Sequence, residues 1–415
     1  MSNYKNILIE NIISLSAIQI LNYLIPFFTL PYLVRILGPE KYGLINFATA
    51  FTGYFTILTD YGFNLSATQE ISINRNDKQK VSEIFSSIIT IKMILFTVST
   101  IIFLIVVYSF YQFKENLILF FITFLSVFGT ALFPLWFFMG IEKMRYILNI
   151  NLSVKIVFTI LIFILIKTEN DYLKLALLNT ITQVLIGLIG FVFVLNKYEI
   201  SYSIPSLNQI RMQLKNGLNI FLSTISINLY STSNTFILGL FAPLNVVGYF
   251  AAADKIRMAI QGIVSSVSQS IFPYVNKLLN ESYELFISFN KKLFLIAFLS
   301  GTLISIFLFL FAKPIVEFIL GIEYQPSIIL LKIMAWLPLI IFLSNVLGIQ
   351  TMLPMKKHKS FAIILFIAAV INLILSFILV PIYYEIGTVI SVLITEVYVT
   401  FAFYVFVKFN KIKIV

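Results

Sequence analysis

Twelve apolar stretches constrain this chain more than any other feature. They lie near 10–34, 43–66, 84–110, 116–140, 147–166, 173–195, 215–240, 246–275, 292–316, 325–350, 360–380 and 385–407. Each is long enough for a helix rising about 1.5 Å per residue to cross a hydrocarbon core of about 30 Å. In lipid every backbone N–H and C=O needs a partner within the protein, and long uninterrupted runs meet that demand as α-helices. With 60% of its 415 residues hydrophobic and 11% charged, the chain does not read as a soluble globule. The expectation is an all-α polytopic membrane protein. Its first apolar run starts after Glu10, is too long for the core of a signal peptide and has no small-residue cleavage pattern after it, so it reads as a retained helix.

The formal charge of +11 resembles a nucleic-acid signature until the basic residues are sorted by loop. With the N-terminus inside, 18 of the 29 fall on the cytoplasmic side, six fall opposite and five lie within spans. The positive charge therefore reports topology. Both termini are expected in the cytoplasm of a bacterial inner-membrane protein, with anionic lipid and not nucleic acid as the basic partner. There is no cysteine, which excludes disulfides and thiolate chemistry. The single histidine, His358, lies in the cytoplasmic run Lys356-Lys357-His358-Lys359 and reads as a solvated loop residue.

The only long polar connection in the middle of the chain, residues 197–213, divides it into six-helix lobes at 1–196 and 214–415. A weak repeat relates them. Leu37-Gly38-Pro39 through Tyr42-Gly43 resembles Phe241-Ala242-Pro243 through Val247-Gly248, a short-loop Pro followed by Gly at a helix start. Asn46, Thr49, Gly53, Thr56 and Asp60 then recur at steps of three and four, which keeps them on one helix face. Pairing Gly43 with Gly248 carries that phase onto Ala251, Asp254, Met258, Gln261 and Ser265 of the eighth span. The seventh span shows a similar stripe, Asn219, Ser223, Ser226, Tyr230 and Ser233. Such stripes either glue helices together or line a shared polar space.

The eighth span favours the second reading, because Asp254, Lys255 and Arg257 stand inside an otherwise apolar run. A charge at mid-membrane costs about 3 kcal/mol or more unless it meets a partner or water. Asp254 and Arg257, at i and i+3, can pair on one face. The partner positions in the first half hold Thr49 and neighbouring Thr52, so the lobes are expected to be alike in shape and unlike in charge. Lys92, Lys155 and Lys332 also lie within spans, where they either snorkel toward an interface or face a cavity. Asp60 and Glu396 are the span acids that could carry a proton, and Asp60 reads equally well as a helix-end residue.

Phe133-Pro134-Leu135-Trp136-Phe137-Phe138-Met139-Gly140-Ile141-Glu142-Lys143-Met144 is similar to the W-x-F-x-G-x-E-K-M stretch of bacterial polysaccharide repeat-unit flippases, the O-antigen (Wzx-type) transporters. Thr59-Asp60-Tyr61-Gly62-Phe63, Ala67-Thr68-Gln69-Glu70-Ile71, Leu347 through Pro354, Glu385-Ile386-Gly387-Thr388 and Thr395-Glu396 resemble that family in the same order. Trp136, Gly140, Glu142 and Lys143 carry the motif, and Met139 departs from it where many relatives place Gln.

The resemblance implies the multidrug/oligosaccharidyl-lipid/polysaccharide (MOP, MATE-like) exporter superfamily, with two pseudo-twofold-related lobes around a cationic cavity. It also implies movement of undecaprenyl-diphosphate-linked oligosaccharide to the periplasmic leaflet by alternating access, without a cofactor and with a proton or sodium gradient as the possible drive. A polysaccharide polymerase and a chain-length regulator are implied as partners. The family's cavity cations map onto Lys255 and Arg257, with Asp254, Gln261, Asn219 and Tyr230 as polar neighbours.

Two other function classes stay open beside a non-enzymatic flippase. A cation-coupled drug exporter of the same superfamily would need acids for cationic drugs, whereas the eighth span carries excess positive charge. A membrane glycosyltransferase or polymerase would need chemistry in a large outer loop, and every outer loop here is short. Glycan structure, coupling ion and oligomeric state are not written in residue spacing.

Overall fold

The computed structural model describes the backbone of residues 2–412 and 414. Side chains at 2–13, 15, 16, 19, 20, 23, 24, 219, 222–224, 226–232, 263 and 266 lie outside that description. Among the described residues there is no strand. Helix α1 (Ser2–Asp60) carries the first two expected spans, followed by α2 (Phe63–Asn74), α3 (Lys78–Ser109) and the single turn α4 (Tyr111–Lys114). The fourth span is α5 (Leu117–Leu132) with α6 (Leu135–Gly140), and the fifth and sixth are α7 (Met144–Leu165) and α8 (Tyr172–Tyr198). Then come α9 (Leu207–Phe241), α10 (Leu244–Glu281), α11 (Tyr283–Ile319), α12 (Ser327–Met334) with α13 (Leu337–Leu347), and α14 (His358–Phe409), which carries the last two. Among the described residues seven helical stretches are long and apolar enough to cross a membrane.

The joints are set by local chemistry. Gly38 adopts φ 65° and ψ 171°, a region open in practice to glycine alone, and the following Pro39 cannot continue a helix with its N–H, so α1 breaks there into two spans. Tyr384, at φ 45° and ψ −121°, breaks α14 in the same way. The second span ends earlier than expected. Instead of running to residue 66, α1 stops at Asp60, where Tyr61 and Gly62 both take positive φ, and α2 starts at Phe63. Phe133-Pro134 interrupts the fourth span, because Pro134 has no N–H to donate and disfavours helical backbone at Phe133.

The chain packs as two compact units, one of residues 1–21 and 47–228 and one of residues 22–46 and 229–415. The chain-order lobes at 1–196 and 214–415 are a different partition from these packing units. In the first unit α5 lies along α8, α2 lies on α3 and α6, and α7 lies on α8. Phe63, Phe85, Trp136, Phe137 and Phe138 form a buried aromatic core. A second stack joins Phe51, Phe103, Phe113 and Phe124, with the Phe103 and Phe124 ring centres 4.2 Å apart. Lipid is as apolar as these side chains, so van der Waals fit holds them together more than any hydrophobic driving force.

In the second unit Leu30, Val34 and Tyr42 of α1 pack with Ala251, Ala252 and Ile256 of α10 and Val316 of α11. The crossing is reciprocal. A Cβ on Gly43 would fall 1.9 Å from the Leu244 carbonyl oxygen, and one on Gly248 would fall 1.9 Å from the Pro39 carbonyl oxygen. Each glycine thus meets the residue four positions before the other, which is a local twofold relation. The two positions paired by the sequence repeat are in physical contact.

Candidate functional sites

The first unit holds a cavity of about 320 Å³ lined from six helices, α1, α2, α3, α5, α7 and α8, together with the Phe133–Leu135 corner. At its wall the Lys92 ammonium lies 3.2 Å from Asp60 Oδ1, and the Lys92 side chain is only 2% exposed. Asn64 Nδ2 donates to the other Asp60 oxygen at 2.8 Å. The early stop of α1 creates this arrangement, because it leaves Asp60 at a helix end facing α3. Lys92 therefore does not snorkel. Its stem is enclosed and its charge is met inside the bundle, so the first half is not without charge as its repeat positions suggested. Asp60's partner comes from another helix, which no spacing within one helix can reveal.

The second unit carries a different arrangement. Arg257 Nε donates to Asp254 Oδ1 at 2.6 Å and Arg257 Nη1 donates to Gln261, so one face of α10 holds the guanidinium along two of its edges. Glu396 of α14 is 8% exposed and close enough to Arg257 to act on it electrostatically. The Tyr42 hydroxyl feels the Asp254 charge in the same way. Lys255 is half-buried, and among the described residues it has no hydrogen-bond or ion-pair partner. An arginine supported in this way is already aimed and needs little ordering to grip a planar or tetrahedral oxyanion.

The remaining expected residues are dispersed. Lys155 is half-buried on α7, one turn beyond Asn151, and is not among the residues that line the cavity. Lys332 lies with its ammonium 5.8 Å from the Phe309 ring centre, a cation–π contact that satisfies it without cargo. Asn219 and Tyr230, like Ser223 and Ser226 of the same stripe, have side chains outside the described residues.

The Trp136 motif forms a corner. Trp136 is fully buried, and Thr68 Oγ1 donates to its carbonyl. Gly140 lets α6 approach α2, since a Cβ there would lie 2.6 Å from Ile71. Glu142 takes φ 59°, and the Lys143 N–H bonds back to the Phe138 carbonyl, which closes α6 in a Schellman-type turn. Glu142 also pairs with Arg75 at 3.2 Å, while the Lys143 side chain is exposed. The motif is a packing device within the first unit.

Asn64, Thr130, Asn151 and Gln183 of the cavity wall escaped the sequence reading. Each is uncharged and belongs to a different helix. The available signal was an uncharged polar side chain among others of its kind, which by itself does not distinguish helix glue from a cavity wall.

Solved structures share this all-helical polytopic fold. The chain is similar to "Lipid II flippase MurJ, inward closed conformation" with a TM-score of 0.70 at 15% identity, over 98% of this chain and 88% of that one. It is also similar to an inward-facing "multidrug resistance MATE family transporter of the MOP superfamily" with a TM-score of 0.65 at 15% identity, over 95% and 98%. At such identity the likeness concerns the fold, a MOP-like polytopic all-α fold.

The chain belongs to the family described as "Polysaccharide biosynthesis protein", whose model matches residues 8–279. It is 33% identical over 414 residues to a "Putative O-antigen transporter" of Escherichia coli (strain K12), covering 100% of both chains. A protein of the same description from Shigella dysenteriae is 33% identical over 94% of this chain and 97% of its own. The chain is a multi-pass bacterial membrane protein of this family.

Proposed function

We propose that this protein flips an undecaprenyl-diphosphate-linked oligosaccharide from the cytoplasmic to the periplasmic leaflet of the inner membrane by alternating access, and that Arg257 and Lys255 bind the diphosphate. The observation that carries this reading is the half-buried guanidinium of Arg257, held between Asp254 and Gln261 with the unpartnered Lys255 on the same turn. Only the head of such a cargo needs a polar path, because its tail remains in lipid. In the empty state Asp254 neutralises Arg257. A diphosphate offers more oxygens and more charge than one carboxylate, so it takes Arg257 from Asp254, and Lys255 supplies the second cation. The Glu396 charge acts on the same guanidinium and opposes an incoming anion, so neutralising that carboxylate by a proton or another cation favours loading. This gives a physical route for an ion gradient to act on cargo binding.

Complementation of a bacterial strain lacking its O-antigen flippase tests the proposal. Wild type restores surface polysaccharide, whereas Arg257→Ala and Lys255→Ala insert in the membrane and restore none. Full rescue by both variants overturns the assignment. Dye resistance on expression without any rescue points instead to drug export.

A further inference from the structure

The first unit's cavity is lined by none of the residues assigned above to the diphosphate, and its chemistry is of another kind. Apart from one lysine and one aspartate, which bind each other, its polar wall is built of uncharged amides and hydroxyls. We propose that this cavity is a saccharide subsite that takes one neutral pyranose ring of the cargo's glycan. The proposal rests on the flippase reading for the identity of the cargo, but not for the chemistry of the site.

The hydrogen-bonding inventory supports it. Asn151 uses one N–H on the Ile147 carbonyl, leaving its second N–H and its oxygen. Thr130 and Thr56 line the cavity and donate to the Val127 and Thr52 carbonyls, so each hydroxyl oxygen keeps its capacity as an acceptor. The Gln183 amide, among the described residues, has no hydrogen-bond partner, so both its ends are available. A sugar ring carries several hydroxyls, each both donor and acceptor, and side chains offering both functions match them. A phosphate carries acceptors only and would leave the amide and hydroxyl oxygens unmet.

Charge and size narrow the ligand further. Lys92 and Asp60 cancel formally, so an acidic sugar would have to break that pair before gaining a cation. At about 320 Å³ the cavity lies at the small end of ligand pockets, which run from about 300 to 1,000 Å³. One ring with its substituents suits it, and a repeat unit of several sugars does not. Phe133 and Ile186 provide apolar wall for the C–H faces of the ring.

The test uses the full chain in lipid nanodiscs, with glucose, galactose, rhamnose, N-acetylglucosamine and glucuronate as probes and the thermal unfolding midpoint as readout. Ligand binding to the folded state raises that midpoint. At least one neutral sugar is expected to do so in wild type and in Arg257→Ala. Gln183→Ala and Asn151→Ala should weaken that sugar about tenfold or more, about 1.4 kcal/mol, with glucuronate inactive throughout. Asn151→Ser, with the sugar-free midpoint of every variant, separates lost binding from lost folding.

The proposal is overturned if no neutral sugar shifts the midpoint, if the shift survives both cavity variants, or if glucuronate alone acts. Rescue of flippase-deficient strains is scored separately. A wild type that binds sugar in this cavity but rescues no strain ends the flippase reading and leaves the subsite standing. A wild type that rescues but binds no sugar does the reverse.

Discussion

In the first unit the buried acid and base come from different helices, Asp60 at the end of α1 and Lys92 in α3, and they share a cavity with neutral amides. In the second, Asp254 and Arg257 lie three residues apart on α10, with Gln261 one turn on and the Glu396 charge nearby on α14. A pair spanning two helices exists only when the bundle is packed, so breaking it strands a charge and loosens the packing. A pair on one helix forms with the helix and can open and close while the bundle stays assembled. The first arrangement suits a site that must keep its shape, and the second suits one that trades a carboxylate for a cargo anion.

The repeat positions of the two halves meet at the glycine crossing, where the largest effect is expected. Gly43→Ala and Gly248→Ala each force a methyl group 1.9 Å from a backbone oxygen, so the helices must part. Both variants should lose most of their folded yield, measured by fluorescence-detected size exclusion, and to a similar degree because the contact is reciprocal. Clearly unequal losses would break the twofold relation.

Next in size is Lys92→Met, which leaves Asp60 without its counter-charge. Removing one partner of a buried pair costs about 3–5 kcal/mol, and the value should fall toward the lower end because Asp60 is 24% exposed. The double variant Lys92→Met with Asp60→Asn should recover most of the thermal stability. Failure to recover would mean that the ion pair itself, rather than a stranded charge, shapes the cavity.

Asp254→Asn should be milder, about 1 kcal/mol, because the amide can still accept from Arg257 and Gln261 remains. Its clearer effect is on transport. Export should become more sensitive to competing inorganic phosphate or pyrophosphate if Asp254 is the group that anions displace, and unchanged sensitivity would contradict that role.

The smallest effect concerns the loop after α8. There the Lys78 ammonium donates to Glu199 and holds its carboxyl below the ordinary glutamate range. A carboxyl lowered on folding adds stability above its unfolded value and loses it as pH falls through the lower folded value. Glu199→Gln should therefore lower the thermal midpoint slightly between pH 6 and 8, the pair being exposed, and leave it unchanged at acid pH, which removes part of the acid-side sensitivity read from midpoints measured across pH.

Much of the architecture is legible in the chain. Backbone groups in lipid leave apolar runs one regular structure, so the twelve expected spans fall on helical backbone, with breaks inside the second, fourth and tenth. The Pro-Gly repeat marked the crossing because close approach of two helices demands residues without a Cβ, and that demand is a residue identity. Asp254 and Arg257 were legible for a related reason, since helix periodicity places i and i+3 on one face. Lys92 was not, because whether a lysine stem snorkels or is enclosed depends on what packs around it, here the side chain of Asp60 at a helix end set by Tyr61 and Gly62.

The sequence by itself determined the class of fold, the helix break at Gly38-Pro39 and the pair that closes within one helix, because these follow from backbone solvation, from the φ and ψ open to glycine and proline, and from a fixed 3.6-residue period. Only the tertiary structure decided that the first unit has a charged cavity at all. Asp60, Lys92, Asn151 and Gln183 are spread over more than a hundred residues of chain, and their meeting is a property of packing, which no local rule of sequence encodes.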